Sequence, residues 1–378
     1  MKCSQSLTVA SLMSTRKGRF RRISAGLTVS ACVLATLAGV ATSVGATLKS
    51  PSSKSPLQQG LNFYKGKTIT VINPTNVGGG YYEVASAIGT AMGIYLHATV
   101  NVESIGAGES VAGQDALAAA NPNGLTIGMI DSTVDISDQL TGAPGPNFNA
   151  ERLAFLGGQA NNYAGFTCST SSHMSSFADV IHSSSPVTEL AVPTGTAYTE
   201  LVLLNSIFGI KAKLITGYPE TSNLIQGFER GDGACVGQGS VSFGSWIAAG
   251  KARMVMISTK PEKGLAYDGQ AAGVPTLAQL VKEFPPKTKS AKQALAAYES
   301  LTTSLIGHQF NAPTKVSADK VDALRAAVEW AFKNPAVDTK LLNEGQTTGY
   351  VNGQVAKASY IQGISVLKPV TAILAAAA

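Results

Sequence analysis

The chain is poor in charge, histidine and cysteine. Only 14% of its 378 residues are Asp, Glu, Lys or Arg, and 29 basic groups stand against 23 acidic ones. The basic excess is confined to the start, where Lys2, Arg16, Lys17, Arg19, Arg21 and Arg22 occur with no acidic residue before position 47. Without those six the chain carries 23 groups of each sign. A balanced chain keeps no broad basic patch, so it gives no support to nucleic-acid or anionic-membrane binding.

Other absences narrow the chemistry further. The histidines His97, His173, His182 and His308 are scattered without paired ligand spacing, so no metal is expected. No G-x-S-x-G elbow is present, and Ser169 to Ser185 reads as a polar loop and helix edge rather than a nucleophile site. Neither Gly78-Gly79-Gly80 nor Gly106-Ala107-Gly108 extends to G-x-G-x-x-G. Gly60 to Thr68 has one residue too many for a P-loop and precedes its strand. A non-enzymatic protein without a cofactor is the expectation.

What is there begins with an export layout. The basic stretch is followed by a small and apolar run from Ile23 to about Val44, which ends in Val44-Gly45-Ala46. Ser24, Thr28, Ser30, Thr36, Gly39, Thr42 and Ser43 dilute it below a strongly apolar span. Residues 1–46 are therefore read as a signal peptide cleaved after Ala46. Two rivals stand beside this: Val29-Ser30-Ala31-Cys32 fits a lipoprotein box, which would tether the protein through Cys32, and the segment could stay uncut as an anchor. The protein is expected outside the cytoplasm, in the periplasm or at the cell-envelope exterior.

Export leaves Cys168 and Cys235 as the cysteines of the mature chain, with Cys32 added in the lipoprotein case. An oxidising compartment makes their pairing plausible. The alternative is a pair of buried thiols in neighbouring strands.

The mature chain of about 330 residues exceeds one compact core, which predicts two lobes. Thr47 to Gly60, rich in Ser, Pro, Lys and Gln, reads as a flexible spacer. From Lys67 the pattern is strand, Gly-rich turn, helix, then a strand at Ala98 to Val102, a helix near Ser110 to Ala120 and a strand at Leu125 to Ile130. Such alternation implies a largely parallel sheet. The pattern restarts after Gly157, with strands near Ala164, Leu190, Lys213, Ala234 and Arg253. Lys260 to Lys289 reads as irregular, and late helices, the clearest from Ser317 to Lys333, return to cover the first lobe. The expected division is lobe 1 over 61–160 plus 259–378 and lobe 2 over 161–258.

Two turns carry the binding chemistry. Asn73 to Tyr81 lies between a strand and a helix, where Gly78, Gly79 and Gly80 let backbone N–H groups face an anion. Thr194, Gly195 and Thr196 repeat this placement before Tyr198 in the second half. Each half can thus offer a helix start to one shared cleft at the carboxyl ends of its strands. Two ordinary glycine turns are the bland alternative.

In order, these segments resemble the Bug-type substrate-binding receptors of tripartite tricarboxylate transporters. The resemblance runs through Pro74 to Gly80, Gly106 to Gly108, Asn121-Pro-Asn-Gly-Leu-Thr-Ile127, Thr216-Gly-Tyr-Pro219, Glu229-Arg-Gly-Asp232, Gly250 to Arg253, Val274-Pro-Thr276 and Asn334-Pro335. It departs at Tyr82 and Asn123, where the family usually carries Asp.

The resemblance implies an α/β, two-lobed fold of the type II periplasmic binding protein kind, with mostly parallel sheets, flanking helices and a central cleft. It also implies capture of a small organic carboxylate for delivery to the transporter's membrane subunits, by a monomer. Neither cradle loop contains Arg or Lys, so the ligand would be held by backbone N–H groups and hydroxyls from Asn76, Gly78 to Gly80, Tyr81, Tyr82, Ser132, Thr194 to Thr196 and Tyr198. A ligand-sensing subunit of a signalling receptor and an unrecognised hydrolase are the alternatives.

Overall fold

The structure, a computed structural model, describes residues 55–377 apart from 109, 143–144, 160–163, 193–195, 219–220, 261–262, 265–267 and 304–306. The expected signal peptide, Cys32 and residues 47–54 of the expected spacer lie outside the described residues.

The first stretch runs α1 (Pro56–Tyr64), β1 (Thr68–Asn73), α2 (Gly80–Leu96), β2 (Thr99–Ser104), α3 (Val111–Ala119), β3 (Thr126–Ile130), α4 (Ser132–Thr141) and β4 (Ala154–Gln159). The second runs β5 (Gly165–Ser169), α5 (Phe177–Ile181), β6 (Val187–Leu190), α6 (Thr196–Phe208), β7 (Ala212–Ile215), α7 (Thr221–Arg230), β8 (Cys235–Val236), α8 (Ser240–Ala248) and β9 (Ala252–Ile257). The third runs α9 (Leu277–Glu283), α10 (Lys289–Thr303), β10 (Gln309–Ala312), α11 (Ala318–Phe332), α12 (Pro335–Asn343), β11 (Tyr350–Asn352), α13 (Gly353–Leu367) and α14 (Thr371–Ala377).

These elements form two sheets, one per lobe: six strands ordered β11-β4-β10-β3-β1-β2 and five ordered β7-β6-β8-β5-β9. The expectation of mostly parallel sheets is corrected here, because both are mixed. β1 runs parallel to β2 and β3, and β6 runs parallel to β7 and β8. β10 runs against β3 and β4, β11 against β4, and β5 against β8 and β9. The reason is geometric. Parallel neighbours are joined through a helix, α2 between β1 and β2 and α6 between β6 and β7, whereas β5 is entered from the first sheet and β10 from the second, so no crossover within a sheet sets their direction.

Two segments differ from the local reading. Residues 55–60 of the expected spacer belong to α1, whose Ser55 Oγ caps the helix by accepting from the Gln58 N–H, with Pro56 opening its first turn. Within the irregular stretch, Thr276 and Gln279 form a reciprocal capping box that starts α9.

One core lies on β1, β3, β4 and β10, where Val84, Ile88 and Met92 of α2 meet Leu324, Val328 and Phe332 of α11. A second runs from Ile130 and Ile136 through α10, α13 and α14 to Leu201 and Leu204 of α6 and on to Phe166 and Cys168. α10, expected with lobe 1, packs on α6 of the second sheet. Cys168 and Cys235 face each other in register on β5 and β8 and form a disulfide, both fully buried.

Candidate ligand-binding site

The carboxyl ends of β1, β2, β3 and β4 share one edge of the first sheet, and the antiparallel β10 and β11 begin there. The loops at this edge are built from polar residues that tie to one another. Asn73 Nδ2 donates to the Thr75 carbonyl at 2.8 Å and to Ser104 Oγ at 2.9 Å, joining the turns after β1 and β2. Gly78 has φ +94°, a conformation that glycine adopts at no steric cost. Gly106 lies against Asn76 so closely that a Cβ would stand 2.7 Å from the Asn76 nitrogen. Gly106 therefore lets that loop seat the turn before α2. Asn76, Gly78 and Gly79 are exposed, Gly80 and Tyr82 are half-buried, and Gly79 has nothing within 4 Å of its Cβ position.

At the end of β3, Asp131 caps α4: its Oδ1 accepts from the Thr133 N–H at 3.0 Å and the Val134 N–H at 3.2 Å. Thr196, which opens α6 in the second lobe, donates its hydroxyl to the same oxygen at 3.3 Å. Tyr81, in the first turn of α2, places its hydroxyl 2.6 Å from the Gly307 carbonyl and also in hydrogen-bonding reach of Asp131. Asp131 thus links the starts of α2, α4 and α6. Burial raises its pKa, opposed by the bonds from Val134, Tyr81, Thr133 and Thr196. Its charge adds to burial in pushing Glu200, in the first turns of α6, up to about 8.

Behind Tyr81 stands His308, ring to ring at 4.5 Å. His308 Nδ1 bonds Gln159 Oε1, and Gln159 Nε2 donates to the Thr347 carbonyl. Burial holds the His308 pKa down at about 4, which keeps the ring neutral at physiological pH. The first turn of α2 is braced from the same side, where Gln346 Nε2 donates to Glu83 Oε2 at 3.1 Å.

Of the residues expected to bind ligand, those at the starts of α2, α4 and α6 come together, while Thr194 and Gly195 lie outside the described residues. Ser132 Oγ and Tyr198 Oη are buried and have no hydrogen-bond partner among the described residues. The Tyr81 proton serves the Gly307 carbonyl or Asp131, and the Thr196 proton serves Asp131, so both hydroxyls are engaged within the protein. Sequence reasoning passed over Asp131, although an Asp between a strand and a helix is an N-cap signal. It also passed over Gln159 and His308, which only strand pairing brings beside α2. Among the described residues no group of three His, Cys, Asp or Glu side chains is placed to hold a metal.

No protein-family model matches the chain, and no curated protein matches its sequence. Solved structures match over most of its length. BugD, a periplasmic binding protein, superposes with a TM-score of 0.65 at 15% identity, over 82% of this chain and 98% of its own. MatC from Rhodopseudomonas palustris, with bound malate, gives 0.63 at 17% identity, over 81% and 99%. An R. palustris protein with adipate gives 0.67 at 14% identity, over 82% and 97%. The chain has the fold of these binding proteins, two lobes with a sheet each.

Proposed function

We propose that this protein is an extracytoplasmic solute-binding protein that captures a small organic carboxylate for a tripartite tricarboxylate-type transporter. The observation that carries the reading is the meeting of the starts of α2, α4 and α6, one of them from the other lobe, through Asp131 and Thr196. Helix starts expose backbone N–H groups with a favourable dipole and so suit an anion without help from Lys or Arg. The malate and adipate in the similar structures support a carboxylate as the ligand.

In this reading Asn76, Gly78 to Gly80, Tyr82, Ser132, Thr194 to Thr196 and Tyr198 line the ligand, and Tyr81 positions Asp131. Residues 1–46 direct export, the mature chain works as a monomer, and its partners are the transporter's membrane subunits. The lobe division at about residues 160 and 258 puts the cleft between the sheets.

The test is a thermal-shift screen of the mature protein against mono-, di- and tricarboxylates. A true ligand at 100 times its dissociation constant stabilises by about 2.7 kcal/mol. A rise in Tm with one structurally related group of carboxylates is the expected result; no rise with any of them overturns the reading.

A further inference from the structure

The segments that would surround a ligand carry acid and no base. Residues 74–83, 131–135 and 196–200 contain Glu83, Asp131, Asp135 and Glu200 but neither Lys nor Arg. The cation acting on Glu83, Lys340, is itself paired to Glu344. Asp131 is 9% exposed and holds donors from two helices that belong to different lobes. Two of these donors are backbone N–H groups, and charge-assisted bonds of this kind favour the carboxylate against the burial that raises its pKa. Its place, between the first turn of α4 and the first residue of α6, is the kind of place an anionic ligand group would take.

We propose that Asp131 acts as a built-in carboxylate that fills one anion position of the site, so that the site takes a small monocarboxylate and discriminates against dicarboxylates. This rests on the carboxylate-receptor reading and names the ligand class within it. Two buried hydroxyls without partners among the described residues point to a polar group still to be received: Ser132 Oγ, 2% exposed, opens α4, and Tyr198 Oη, 4% exposed, stands in the first turn of α6. Each can donate to one carboxylate. A second ligand carboxylate would meet the negative charge of Asp131 with no cation from these segments to offset it.

Chain-matched pairs test this by calorimetry: butyrate against succinate, pentanoate against glutarate, and hexanoate against adipate. The wild-type protein is expected to bind the better monocarboxylate at least about tenfold more tightly than its dicarboxylate partner. Asp131→Asn keeps a good helix cap while removing the charge, and is expected to narrow or reverse that ratio by about tenfold. Asp322→Asn, which removes an exposed carboxylate on α11 and leaves Asp131 charged, is expected to preserve the ratio. Equal or tighter binding of dicarboxylates by the wild type overturns this inference and leaves the carboxylate reading standing. Binding of neither class overturns both.

Discussion

Gly79 and Asp131 mark the two kinds of residue on which the proposed site depends. Gly79 has φ −102°, which any L residue tolerates, and a Cβ there meets nothing within 4 Å. Gly79→Trp is therefore expected to change stability by no more than about 0.5 kcal/mol, yet to weaken carboxylate binding at least about tenfold by filling the approach to the α2 N–H groups. Paired denaturation and calorimetry would show both, and unchanged affinity would move the site away from this turn. The glycine run between a strand and a helix was legible because local chemistry alone demands it. Asp131 was passed over because its role depends on Thr196, a residue 65 positions away.

At the scale of elements, α1 and the disulfide decide how much of the chain is folded and how tightly. A Cβ on Gly60 would stand 2.0 Å from the Asp319 carbonyl oxygen and 2.8 Å from Ala323 Cβ, so α1 lies directly on α11. Gly60→Val is expected to cost about 1–3 kcal/mol in urea denaturation, whereas a valine in an unfolded spacer would cost almost nothing. The Cys168–Cys235 bridge spans 67 residues. Replacing both cysteines by serine is expected to lower stability by roughly 2–4 kcal/mol, with dithiothreitol lowering the wild type alike and leaving the double variant unchanged. The spacer reading stopped too late because Ser, Pro and Gln look alike in a linker and in a capped helix start. What separates the two is the Gly60 contact with α11, which arrives from more than 250 residues further along the chain.

For the molecule as a whole, buried acids set the pH response. Burial pushes Asp135 up to about 7 and Glu189 and Glu200 up to about 8, from ordinary values of 3.8 and 4.5. A carboxyl whose folded pKa is raised binds its proton more tightly in the native state, so its contribution is full at acid pH and is lost as the pH rises to the folded value. His308, lowered from 6.5 to about 4, works the other way, its contribution lost as the pH falls below 6.5. The clear window is therefore between 6.5 and 8, where stability is expected to fall with rising pH. Glu189→Gln, keeping the partner of Asn205 without an ionisable group, is expected to flatten that fall, as a series of melting curves would show. By itself the sequence determined the strand–turn–helix order, the glycine turn before α2, the balance of charge beyond residue 46 and the cysteines available to pair, since each follows from local conformation or from counting charges and thiols. The tertiary structure alone decided the direction of β5 and β10, the placement of His308 and Gln159 behind Tyr81, and the joining of α4 to α6 through Asp131. Those depend on how strands far apart in the chain pair and on which helix starts then meet, and no window of neighbouring residues contains that information.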